Sequence, residues 1–142
     1  MKSLLRKSVI AIVLLAVVVA MTACIPTDEA KTQANELLLC LSEGDYEGAA
    51  VYTHPDSPIT AELMVSVAEE YANAGADLSV GIDKISYNSI QSSYYDSTVD
   101  GKRLVLGGVV TLNDGTKFDI SFEFIDNDSG YGIQAFSADF PG

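Results

Sequence analysis

A chain of 142 residues with 20 acidic and 8 basic side chains carries a formal charge of −12. All 20 acids lie after residue 23 against five bases, Lys31, Lys84, Lys102, Arg103 and Lys117, so that part alone carries −15, a field that repels phosphate backbones and excludes nucleic acid as a partner. Its 119 residues (142 less 23) suffice for one domain with a real core and are too few for two.

The chain begins with Lys2, Arg6 and Lys7 and no acid, followed by twelve uninterrupted apolar residues from Val9 to Ala20 and then by Met21-Thr22-Ala23-Cys24. A basic region, an apolar region and small residues at a cleavage point are the order of an export signal. A cysteine directly after Thr22 and Ala23 resembles the lipobox of bacterial lipoproteins. The resemblance implies that residues 1–23 are a cleaved signal peptide and that Cys24 takes the lipid (diacylglyceryl and palmitate), holding the protein on the outer, extracytoplasmic face of a bacterial cell membrane. With Cys24 so occupied, Cys40 has no disulfide partner and the domain must hold by its core alone. Cys40, within Leu37-Leu38-Leu39-Cys40-Leu41, reads as a small buried hydrophobe, since no Lys, Arg or His lies near it in sequence to lower its pKa.

Residues 24–27 form a short tether, and the folded domain is expected over residues 28–142. Thr27 is placed to cap a helix whose first turn holds Asp28 and Glu29, with Ala30, Ala34, Leu37, Leu38 and Leu41 on one face and Gly44 at its end. Asp45 caps a short second helix over residues 46–52, which must stop before Pro55. Thr60 starts a third, with Leu63, Met64, Val67 and Tyr71 as its apolar side and Gly75 at the stop.

From Leu78 the pattern changes to period two, punctuated by Asp100-Gly101, Asn113-Asp114-Gly115 and Asp126-Asn127-Asp128-Ser129-Gly130, each a turn composition. Four strands over roughly 79–97, 102–112, 116–125 and 131–138 therefore form an antiparallel meander. Apolar parity slips twice along the first, from Val80 and Ile82 to Ile85 and Tyr87 and back to Ile90, which predicts bulges. At the second hairpin, a three-residue Asn113-Asp114-Gly115 turn sets Val110, Gly108, Leu106 and Leu104 opposite Phe118, Ile120, Phe122 and Phe124. That register makes one face all core and leaves Lys117, Asp119, Ser121 and Glu123 on a wet face.

Three helices, a Gly44-Asp45-Tyr46 corner, a curved four-stranded meander and a closing Tyr131, Ile133, Phe136, Phe140 arrangement resemble the nuclear-transport-factor-2-like (cystatin-like) superfamily, in particular its small bacterial lipoproteins. The resemblance implies an α+β fold in which helices cross the concave side of the sheet to make a cone, open in some members and packed shut in others. Fold alone does not choose among their functions.

Chemical constellations are sparse. His54 has Asp56 two residues away, but the pair lies in a Pro-rich segment between helices and is expected to solvate a turn. One histidine and one unlipidated cysteine cannot make a usual zinc tetrahedron, and the 126–130 loop lacks the Glu of a calcium hand, so no metal or cofactor is expected. No glycine-rich phosphate loop or Gly-x-Ser-x-Gly elbow occurs. Tyr87, Tyr94 and Tyr95 crowd the first strand, and those left exposed would make an amphipathic patch for a partner. The reading is a monomeric, non-catalytic, membrane-anchored binding module for an envelope protein, a peptide or a small apolar ligand. The alternative is a small cone enzyme of the isomerase or dehydratase kind, with Tyr87 or Tyr94 as donor and an inward Asp139 as base.

Overall fold

A computed structural model describes residues 24–141. The expected signal peptide, residues 1–23, lies outside the described residues. Among the described residues three helices come first, α1 (Thr27–Glu43), α2 (Tyr46–Ala50) and α3 (Ala61–Asn73), and a 3-10 turn at Leu78–Val80 leads into four strands, β1 (Ile82–Asp96), β2 (Gly101–Leu112), β3 (Lys117–Asn127) and β4 (Gly130–Asp139). No helix among the described residues is long and apolar enough to cross a membrane.

The helices start and stop largely where local chemistry places them. In α1 the N-cap is Pro26, not Thr27: the Pro26 carbonyl accepts from the Ala30 N–H at 3.1 Å, so Thr27 lies inside the first turn. Gly44 ends the helix in the left-handed region at φ +75°, and the Asp45 N–H reaches back to the Cys40 carbonyl at 2.8 Å. Asp45 then caps α2 by accepting from the Gly48 N–H, and Thr60 caps α3 by accepting from the Leu63 N–H. The inward stripe of α3 is Met64 and Tyr71 with Val67 half-buried, whereas Leu63 is 52% exposed. Positions 64, 67 and 71 share a helix face, and Leu63 stands about 100° round from Met64.

The sheet has the order β1-β2-β3-β4, antiparallel throughout. The β2–β3 register is Val110 with Phe118, Gly108 with Ile120, Leu106 with Phe122 and Leu104 with Phe124, as the Asn113-Asp114-Gly115 turn predicts. Gly115 sits at φ +88°, which closes that turn. Strand β1 carries register shifts at Ile82/Lys84, Tyr87/Ser89 and Ser93/Asp96. The strand starts later than the pattern suggested, because the Asp77 carboxylate accepts from the Ser79 N–H and hydroxyl and winds Leu78–Val80 into a turn, leaving Val80 41% exposed.

The core lies between the helices and the concave face of the sheet. Leu104, Leu106, Val110, Leu112, Phe118, Ile120, Phe122, Phe124 and Ile133 meet Ala30, Ala34, Leu37, Leu38, Leu41, Met64 and Tyr71, all buried. On the convex face Lys117 and Asp119 are exposed, but Ser121 and Glu123 are only half so. Arg103 accounts for Glu123, since its Nε donates to Glu123 Oε1 at 2.7 Å.

Beyond α2 the chain lies along β4. Thr53 forms a parallel bridge with Ile133, the Ile133 N–H donating to the Tyr52 carbonyl and the His54 N–H to the Ile133 carbonyl, each at 2.9 Å. Gly132 makes this approach possible, because a Cβ there would stand 2.7 Å from the His54 nitrogen.

Candidate functional site

Cys24 is exposed, and Ile25 directly after it is buried at 3% exposure within the main core. The tether expected over residues 24–27 is therefore shorter in space than in sequence: Ile25 is seated, Pro26 caps α1 and Thr27 is helical. A group carried by the Cys24 sulfur stands against the folded body with almost no slack chain between them.

His54 is not a solvated turn residue. It is buried at 1% exposure, with Nε2 facing Asn127 Oδ1 at 3.0 Å and the Gly130 carbonyl at 2.9 Å, while Nδ1 accepts from the Asp56 N–H at 3.0 Å. Two acceptors at Nε2 and a donor at Nδ1 assign the ring proton to Nε2. The Asp56 carboxylate is 3.9 Å from Nδ1 and 54% exposed, so the pair does not face a shared chamber. Sequence reasoning missed this position because the partner, Asn127, lies at the end of β3, 73 residues away.

Asp139 is likewise not inward. It is exposed on β4 opposite Asp119 and borders a shallow hollow of about 260 Å³ with Lys117, Phe118 and Phe140. The interior in which the enzyme reading would place its base is occupied by Phe118, Phe122, Phe124, Leu37, Leu38 and Met64.

The three tyrosines separate. Tyr87 is half-buried on the concave side, its hydroxyl donating to Asn35 Oδ1 at 2.7 Å, and burial pushes its pKa above the usual phenol range. Tyr94 and Tyr95 are 71% and 56% exposed near the end of β1. The Tyr95 hydroxyl donates to Asp100 Oδ1 at 3.1 Å across the hairpin, and this bond and the carboxylate's charge raise its pKa. Asp96 beside them accepts from the Thr98 N–H and hydroxyl, which lowers its pKa, and faces Arg103 at 3.8 Å.

Cys40 is half-buried against the core, and burial, followed by Asp45, Glu36 and Glu43, raises its pKa and makes it a poor nucleophile. Among the described residues no group of three or more His, Cys, Asp or Glu side chains could hold a metal ion. One feature had no sequence signal: a groove of about 400 Å³ between α3 and β4, lined by Val67, Glu70, Tyr71, Phe136, Ala138 and Phe140. Tyr71 meets Phe140 edge-on there at 5.2 Å. The groove needs α3 and β4 side by side, a tertiary relationship that neither segment encodes alone.

Comparison of the chain with protein-family models, curated proteins and solved structures returns no match.

Proposed function

We propose that this chain is a lipid-anchored domain on the outer, extracytoplasmic face of a bacterial cell membrane. In this reading its fold is a nuclear-transport-factor-2-like cone used as a non-catalytic binding module. The lipobox-like Met21-Thr22-Ala23-Cys24 after a basic and an apolar segment supports the anchor. The seating of Ile25 beside an exposed Cys24 supports it further, since acyl chains there would hold the body close against the headgroups.

The binding reading is carried by Tyr94 and Tyr95, two large amphipathic side chains left exposed at the end of a hairpin. Such rings give contact area at low entropic cost and are enriched in interface cores. An envelope protein or peptide is the partner this patch suits. The groove beside Tyr71 and Phe140 has the volume and the apolar lining for a small ligand.

The test is complementation of a deletion strain. Tyr94→Ser/Tyr95→Ser, two exposed changes that leave the core intact, should abolish it. Glu70→Gln/Asp139→Asn, which removes the carboxylates bordering the two hollows, should complement as the parent does. The reverse pattern would favour the isomerase or dehydratase reading.

A further inference from the structure

Strand β1 is an edge, and no described strand pairs with its far side. It is 15 residues long, and the eleven residues from Ile85 to Tyr95 carry no charge, in a chain where the part after residue 23 carries −15. Open edges are ordinarily blunted by charge, proline or bulges. Two of the strand's three register shifts, at Tyr87/Ser89 and Ser93/Asp96, fall in or at the end of this run, and between them Ser89 to Ser93 runs in unbroken register with β2. Ile90, opposite Leu106 on the concave side, is 48% exposed at this edge.

The charges that bracket the neutral run are Lys84 and Asp96, six residues before and six residues after Ile90. An antiparallel pair of identical strands has a two-fold axis through one residue paired with its own copy. With that axis at Ile90, Lys84 of each copy falls opposite Asp96 of the other. An axis at Ser89 would put Lys84 opposite Tyr94, and one at Gln91 would put it opposite Thr98. One bulge lies between Lys84 and Ile90 and one between Ile90 and Asp96, so counting outward from Ile90 meets one extra residue on either side and comes back into step at Lys84 and Asp96. Both then project to the convex face, as Lys84 pairs with Thr111 and Asp96 with Gly101, neighbours of the convex Val109 and Arg103. Asp96 Oδ1 is taken by Thr98, while Oδ2, 3.8 Å from Arg103, can still accept from a lysine.

We propose that β1 is a self-association edge: two copies pair their β1 strands antiparallel about Ile90, joining two four-stranded sheets into one, with Ile90 against Ile90 and a Lys84–Asp96 pair at each end. A second copy is the occupant the charges select, because the pattern is complementary to itself and sets no acid against an acid. This replaces the expectation of a monomer and does not depend on the lipid. It also closes, because an isologous two-fold pairing uses the β1 edge of both copies, and on the other edge, β4, Ile133 is engaged by Thr53.

The test is oxidative cross-linking of the full-length chain in membranes, with the parent as baseline for Cys24 and Cys40. Paired residues of an antiparallel ladder have Cα atoms about 4.5 to 5.5 Å apart, within disulfide reach. Ile90→Cys, at a half-exposed position, should give a disulfide-linked dimer as the main species. Ser93→Cys, whose copies would stand six residues out of step, should give none above the parent. Adding Lys84→Glu to Ile90→Cys should cut the dimer severalfold by setting acid against acid. Equal cross-linking at positions 90 and 93, no dimer from Ile90→Cys, or adducts of Ile90→Cys with a different protein in place of the dimer would each overturn the proposal.

Discussion

The imidazole of His54 and the side-chain amide of Asn127 meet at 3.0 Å, and through them three turns are tied together. Asn127 Nδ2 donates to the Val99 carbonyl in the β1–β2 turn at 3.0 Å, and Oδ1 also accepts from the Ser129 N–H in the β3–β4 turn. His54 brings in the segment after α2 and fixes it against Gly130. Asn127→Ala removes the tie to Val99 and leaves the buried His54 ring short of one acceptor. The Gly130 carbonyl still accepts from Nε2, so the cost should be about 0.5 to 1.5 kcal/mol for each hydrogen bond lost, read as a lower urea midpoint with an unchanged slope.

The fully buried Phe122 pairs with Leu106 and stacks on Phe136 at 5.8 Å, so Phe122→Ala should cost about 3 to 5 kcal/mol. Leu63→Ala, at a position 52% exposed, should stay within about 0.5 kcal/mol. Urea melts of both variants check the inside and outside of the fold together.

Tyr87 and Tyr131 predict opposite signs for the same substitution. The Tyr87 hydroxyl is bonded to Asn35, whereas the buried Tyr131 hydroxyl has no hydrogen-bond partner among the described residues. Tyr87→Phe should lose about 0.5 to 1.5 kcal/mol, a typical net hydrogen bond. Tyr131→Phe keeps the ring stacked on Phe124 at 6.2 Å and removes an unsatisfied group, so its thermal midpoint should rise.

Burial raises the pKa of Tyr71, Tyr87 and Tyr131 above the ordinary phenol range. Their neutral forms are favoured in the folded state, so the stability they contribute is full below the unfolded value, about 10, and is lost as pH rises through that value toward the folded ones. The melting temperature should therefore fall on the alkaline side of about pH 10. Tyr131→Phe should make that fall shallower, measured as the slope of melting temperature between neutral and strongly alkaline buffer.

What was legible in the sequence was whatever a short stretch decides alone. Gly44 and Asp45 mark the α1–α2 corner, Thr60 the start of α3, and Asn113-Asp114-Gly115 fixes a register that orders eight residues across β2 and β3. The misses depend on chain returning from a distance. His54 reads as a solvated turn until Asn127 and Gly130 close over it, and Asp139 reads as inward until its pairing with Asp119 is known. Ile25 counts as tether until the core that receives it exists. Tyr87, Tyr94 and Tyr95 look alike in sequence, and the bulge at Tyr87/Ser89 and the reach of the hairpin separate one half-buried ring from two exposed ones.

The proposed anchor makes the binding reading a statement about a membrane surface, and one labelling experiment tests it. Cells expressing the parent or Cys24→Ala are fed a palmitate analogue, and label on the protein is compared at equal expression. Label is expected on the parent and none on Cys24→Ala, with the variant keeping its uncleaved leader and a mass larger by residues 1–23. Equal label on both chains, or an unlabelled parent, would contradict the anchor.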